Sequence, residues 1–154
     1  MKSLKRILLA EDDENDVDLT LTALAENSLA NEVDVVHDGQ EALDYLFRRG
    51  AYAQRGLGDP VVLLLDIKMP KVDGVEVLRR VRADPKLRML PVVVLTSSRE
   101  EQDLVRCYEL GVNAYVVKPV AFDAFSKAVR ELGVFWALVN EPPPHGGEGL
   151  KGES

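Results

Sequence analysis

The strongest constraint in this chain is an unbroken apolar run, Val61-Val62-Leu63-Leu64-Leu65, that ends on an acid, Asp66. A strand with one wet face alternates apolar and polar residues, whereas a strand with no polar position is covered on both faces, as in a parallel sheet flanked by helices. Ile7-Leu8-Leu9-Ala10 and Pro91-Val92-Val93-Val94-Leu95 read the same way, and Ala114 to Val117 supplies a fifth strand. Val33 and Val35-Val36 alternate with Glu32 and Asp34, the pattern of an edge strand. Helical periodicity fills the gaps over about residues 14–27, 40–49, 75–83, 100–110 and 122–139, with Gly111 as a stop signal after the fourth helix. Strict alternation of strand and helix predicts an α/β fold, a doubly wound five-stranded parallel sheet with right-handed crossovers.

At 154 residues the chain holds one domain of ordinary size. The expected domain spans residues 1–140, with an exposed connection at 50–60 and a disordered tail at 141–154 that opens on Pro142-Pro143-Pro144. A net charge of -7 disfavours nonspecific binding to nucleic acid or an acidic membrane and points to protein or small-molecule partners. No apolar stretch approaches the roughly 20 residues of a membrane span, and the basic N-terminus lacks the apolar core of a signal peptide. One cysteine, Cys107, rules out an internal disulfide, so a cytoplasmic location is expected, with Cys107 as a packing residue.

The strands of a parallel sheet point one way, so residues at their ends gather along one edge, where open α/β sheets build ligand crevices. Glu11 and Asp12, Asp66, Thr96 and Lys118 occupy four such ends. Each has a plain structural role available: Asp12, Asp13 and Thr96 as helix caps, Asp66 as a turn starter, Lys118 as a solvated strand end. Their conjunction carries the functional reading. Three acids at one edge repel each other unless a hard divalent cation sits among them, which predicts Mg²⁺ or Mn²⁺. Asp66, on the central strand, is placed to attack a phosphoryl donor and hold phosphate as an acyl phosphate, with Lys118 and the Thr96 hydroxyl facing its oxygens.

These motifs resemble the receiver domain of two-component response regulators, the CheY-like family. The resemblance covers about residues 5–139 and rests on Ile7-Leu8-Leu9-Ala10-Glu11-Asp12-Asp13, Leu63-Leu64-Leu65-Asp66-Ile67-Lys68-Met69-Pro70 with Asp73-Gly74, Pro91-Val92-Val93-Val94-Leu95-Thr96-Ser97, and Ala114-Tyr115-Val116-Val117-Lys118-Pro119. It implies strand order 2-1-3-4-5 and phosphorylation of Asp66 by a sensor histidine kinase. It further implies Asp12 as a direct metal ligand, Glu11 acting through water, the Lys68 carbonyl as a further ligand, and a cis Lys118-Pro119 bond. Asp13 is left to cap the helix. Thr96 and Tyr115 become a switch pair that remodels the surface of the fourth helix, fifth strand and fifth helix; the plain alternative for Tyr115 is a half-buried strand aromatic. Lys68 and Ser98 flank the path of water to the acyl phosphate in this family, so Lys68 is expected to alter phosphate lifetime.

A narrower resemblance, through the 50–60 loop, Asp84-Pro85-Lys86-Leu87 and Val134-Phe135-Trp136, is to single-domain regulators paired with bacterial phytochromes or related hybrid kinases. The aromatic stripe near Trp136 also suggests a homodimer surface. Three other readings compete. A phosphorelay intermediate would use the same site and pass phosphate onward. A haloacid-dehalogenase-like phosphohydrolase requires a second Asp two residues after its nucleophile, where this chain has Lys68, so a phosphoacceptor rather than a turnover enzyme is expected. A flavodoxin-like module requires a phosphate-cradling loop where this chain has Glu11-Asp12-Asp13-Glu14.

Overall fold

The computed structural model describes residues 6–26, 33–56, 58–96, 106–112 and 114–132. Five strands, β1 (Ile7–Ala10), β2 (Val33–Val36), β3 (Val62–Asp66), β4 (Val92–Thr96) and β5 (Tyr115–Val117), form one parallel sheet in the order β2-β1-β3-β4-β5. The expected topology is the observed one. Central β3 and its neighbours β1 and β4 are buried along their whole length, while edge strand β2 is mostly half-buried.

The helices are α1 (Glu14–Ala25), α2 (Gly39–Phe47), α3 (Gly74–Ala83), a described segment of α4 at residues 106–109, and α5 (Phe122–Glu131). Because successive side chains of a strand face opposite sides of the sheet, the central strands feed two separate cores. Leu8, Leu63, Leu65 and Val94 pack with Leu43, Leu78 and Cys107 under α2, α3 and α4. Ile7, Leu9, Leu64 and Leu95 pack with Val17, Leu24, Phe125 and Val129 under α1 and α5. Full burial of a Leu or Phe stabilises by about 1.5–3 kcal/mol, so the uninterrupted runs fix both layers at once. Cys107 is a core residue, as its surroundings in sequence suggested.

Three helices start on an Asp cap: Asp13, Asp38 and Asp73 accept from the backbone N–H of Asp16, Glu41 and Glu76 at 2.9, 2.7 and 2.9 Å. Gly74 has a stricter reason for being glycine. A Cβ there would overlap the Asp66 carbonyl oxygen and lie 2.8 Å from Ile67 Cα, so the start of α3 presses directly on the backbone that carries Asp66.

The described residues of the 50–60 segment are mostly exposed, as expected. The segment also contains a 3-10 turn at Gly50–Tyr52, and it is cross-linked rather than merely exposed. Arg48, left-handed at φ 57, donates to the carbonyls of Arg55 and Gly58 at 2.9 and 3.0 Å. Arg55 donates to the carbonyls of Tyr45 and Gly58, both at 2.9 Å, and lies 4.2 Å above the Tyr45 ring. The start of the expected fourth helix, Ser98, the aromatic stripe with Phe135 and Trp136, and the tail lie outside the described residues. No helix among the described residues is long and apolar enough to cross a membrane.

Candidate functional site

The carboxyl ends of β1, β3, β4 and β5 bring the predicted residues together. Asp66 and Thr96 are the last residues of their strands rather than the first beyond them, and both are buried. The register sets Asp66 opposite Leu95 and Thr96 opposite Val117, so one step past β5 Lys118 reaches the same rim. Its amide donates to the Thr96 carbonyl at 2.8 Å, and the Lys118-Pro119 bond is cis.

Glu11, immediately after β1, is completely buried, which a carboxylate tolerates only with partners. It has two: Oε1 accepts from Lys118 Nζ at 2.9 Å and Oε2 from the Asp13 amide at 3.2 Å. Asp12 is exposed at the mouth of the site. One carboxylate oxygen from each of Glu11, Asp12 and Asp66 lies within 4.8 Å of the others, a spacing that a single cation can bridge. Lys68 follows Asp66 by two residues with its side chain exposed.

Lys118 Nζ lies 3.3 Å from Asp66 Oδ1. Burial, then the Glu11 charge, push the Asp66 carboxyl up to about 7, against the lowering influence of Lys118. Burial alone would lower the Lys118 ammonium. Hydrogen bonds to Glu11 and Asp16 and the charge of Asp66 reverse this and hold it above the ordinary lysine range. The site therefore keeps a permanent cation beside an acid whose charged form is costly without added positive charge.

Sequence reasoning missed Asp16. Its Oδ2 accepts from Lys118 Nζ at 3.0 Å, although Asp16 belongs to α1 and follows no strand. The signal was present but had another reading: an acid three residues after an Asp cap complements the positive helix end. Tyr115 is 36% exposed, in keeping with the half-buried alternative, with its ring 6.4 Å from Tyr108 in an edge-to-face pair.

A family model for the response regulator receiver domain matches residues 7–130, from β1 into α5. The chain belongs to this family. The receiver domain is 64% identical to the bacteriophytochrome response regulator AtBRR, whose structure superposes with a TM-score of 0.83 over 91% of this chain and 100% of that one. It is 37% identical over 132 residues to response regulator Rcp1 of Synechocystis sp., covering 86% of this chain and 88% of Rcp1. The Mn²⁺-bound structure of Rcp1 superposes with a TM-score of 0.71 at 36% identity over 91% of this chain and 99% of Rcp1. The receiver domain is thus a two-component signalling domain close to phytochrome response regulators, and its acidic trio has the chemistry of a divalent-cation site.

Proposed function

We propose that the receiver domain accepts a phosphoryl group on Asp66 from a sensor histidine kinase of the phytochrome type and passes the signal on through the face formed by α4, β5 and α5. The observation that carries this reading is the buried Asp66 carboxylate 3.3 Å from the Lys118 ammonium, with Glu11 and Asp12 converging on it. In the transfer an Asp66 oxygen forms a bond to phosphorus while the bond from phosphorus to the donor imidazole nitrogen breaks, and the imidazole leaves with the electron pair. The product is an acyl phosphate on Asp66.

The acids fit a Mg²⁺ or Mn²⁺ ion held by the Asp12 and Asp66 carboxylates and the Lys68 backbone carbonyl, with Glu11 acting through water. Glu11 suits the indirect role, since both its oxygens already accept hydrogen bonds from protein donors. Such a cation neutralises phosphoryl oxygen charge. Lys118 balances a second oxygen, and the Thr96 hydroxyl bonds a third. Thr96 moving inward leaves room for the Tyr115 ring to leave Tyr108 and turn toward the core, which couples the site to the outer face of β5.

Acetyl phosphate with Mg²⁺ should label the protein, and the label should vanish in Asp66→Ala and in chelator. Labelling that survives Asp66→Ala would refute the assignment. The similarity to bacteriophytochrome response regulators supports the kinase class, and phosphotransfer profiling against the histidine kinases of the source organism tests it: preferential transfer from a phytochrome kinase is the expected result.

A further inference from the structure

Three helices open with the same local pattern, an Asp cap followed three residues later by an acid, yet the three acids are used differently. Glu41 of α2 accepts from the His37 amide at 2.8 Å and the Tyr52 hydroxyl at 2.6 Å. Glu76 of α3 pairs with Arg79 and Arg80 on its own helix. Asp16 of α1 instead pairs across the fold with Lys118, 102 residues away.

A lysine ammonium has three N–H donors on a freely turning axis and no preferred direction of its own. Lys118 Nζ is surrounded by three carboxylates: Glu11 at 2.9 Å, Asp16 at 3.0 Å and Asp66 at 3.3 Å. Two partners are firmly placed. Glu11 is fully buried and also holds the Asp13 amide, while Asp16 sits on the first turn of α1 with its own amide bound to the Asp13 cap. With two donors committed to Glu11 and Asp16, the third is the one left for Asp66, which Nζ meets as an ion pair at 3.3 Å.

Resting on the phosphoacceptor reading above, we propose that Asp16 is a positioning residue that, with Glu11, aims one N–H of Lys118 at the oxygens on Asp66. A phosphoryl group formed there meets a donor already pointed at it, and neither of the other two hydrogen bonds has to break. Asp16 contributes orientation through its acceptor oxygen. Its negative charge on its own would disfavour an incoming anionic donor.

The opposition between orientation and charge makes the proposal testable with two variants. Asp16→Ala removes the acceptor and the charge, whereas Asp16→Asn keeps an acceptor oxygen and removes only the charge. The acetyl phosphate labelling rate of Asp16→Ala should fall about tenfold, the scale of one charge-assisted hydrogen bond, while Asp16→Asn stays within about threefold of the parent. Mg²⁺ affinity should stay within about threefold in both, because Asp16 is not one of the three converging acids. Equal or faster labelling of Asp16→Ala, or equal slowing of both variants, would overturn the proposal.

NMR of the lysine ammonium groups separates this outcome from failure of the phosphoacceptor reading. In the unphosphorylated protein a slowly exchanging Lys118 signal should be present in the parent and in Asp16→Asn and absent from Asp16→Ala. Its persistence in Asp16→Ala would overturn the aiming role whether or not Asp66 is ever phosphorylated.

Discussion

Two polar regions of the molecule treat burial in opposite ways. In the 48–59 segment the guanidinium groups of Arg48 and Arg55 meet backbone carbonyls, Arg55 lies over Tyr45, and Tyr45 and Tyr52 donate to Asp34 and Glu41 at 2.5 and 2.6 Å. Unlike groups meet, and the described residues of the loop are cross-linked. At the rim of the sheet Glu11, Asp12 and Asp66 crowd together with one ammonium near them. Like groups meet, and the Asp66 carboxyl rises to about 7 mainly through burial and the Glu11 charge. Most polar groups of the loop are satisfied within the chain, Arg55 Nη2 excepted, which is buried without a hydrogen bond and meets Asp59 only as an ion pair at 3.7 Å, whereas the rim leaves part of its electrostatics to be completed from outside.

The sharpest way to break this comparison is to unpair the loop. Arg55→Ala removes two hydrogen bonds to carbonyls and the stacking on Tyr45 from a side chain only 10% exposed. It should destabilise the protein by about 3 kcal/mol in urea unfolding. A cost below about 1 kcal/mol would mean that the loop is not the stabilising region.

The rim should respond in the opposite sense. Because Asp66 titrates near 7 in the fold and near 3.9 when unfolded, the folded state binds its proton more tightly. The metal-free protein should therefore lose stability as pH rises from about 4 to 7 and level off above that. Asp66→Asn should remove this slope and exceed the parent by about 2 kcal/mol at about pH 8, read by denaturant unfolding with chelator present. A less stable Asp66→Asn would show that the rim is satisfied as it stands.

Two smaller tests refine the contrast. Tyr52→Phe deletes the hydroxyl on Glu41 and should cost about 1 kcal/mol. Lys68→Ala should change the decay rate of the phosphorylated protein by about twofold, the scale of an exposed charge, with little effect on folding; an unchanged decay rate would remove Lys68 from the control of phosphate lifetime.

The rim was legible in the sequence because strand ends in a parallel sheet share an edge, so the residues following Ala10, Leu65, Leu95 and Val117 could be grouped without coordinates. The two-faced core followed from the same uninterrupted apolar runs, whereas the strand order came from the family resemblance. Asp16 was not legible, because helix-end electrostatics explains an acid at that position equally well and its actual partner is 102 residues distant. The loop's exposure was legible, but its cross-links were not, for a related reason. Its glycines and Asp59-Pro60 signal a turn, but its order comes from Arg48 and Arg55 donating to carbonyls, and side-chain-to-backbone bonds leave no periodic trace.

The central claim, that the crowded acids at the rim are completed by a divalent cation, is tested most directly by calorimetric titration of Mg²⁺ at about pH 8, where Asp66 is ionised. The parent should show saturable binding at one site, with Asp12→Ala reducing the affinity at least about tenfold. Equal Mg²⁺ binding by the parent and Asp12→Ala, or no binding by the parent, would contradict it.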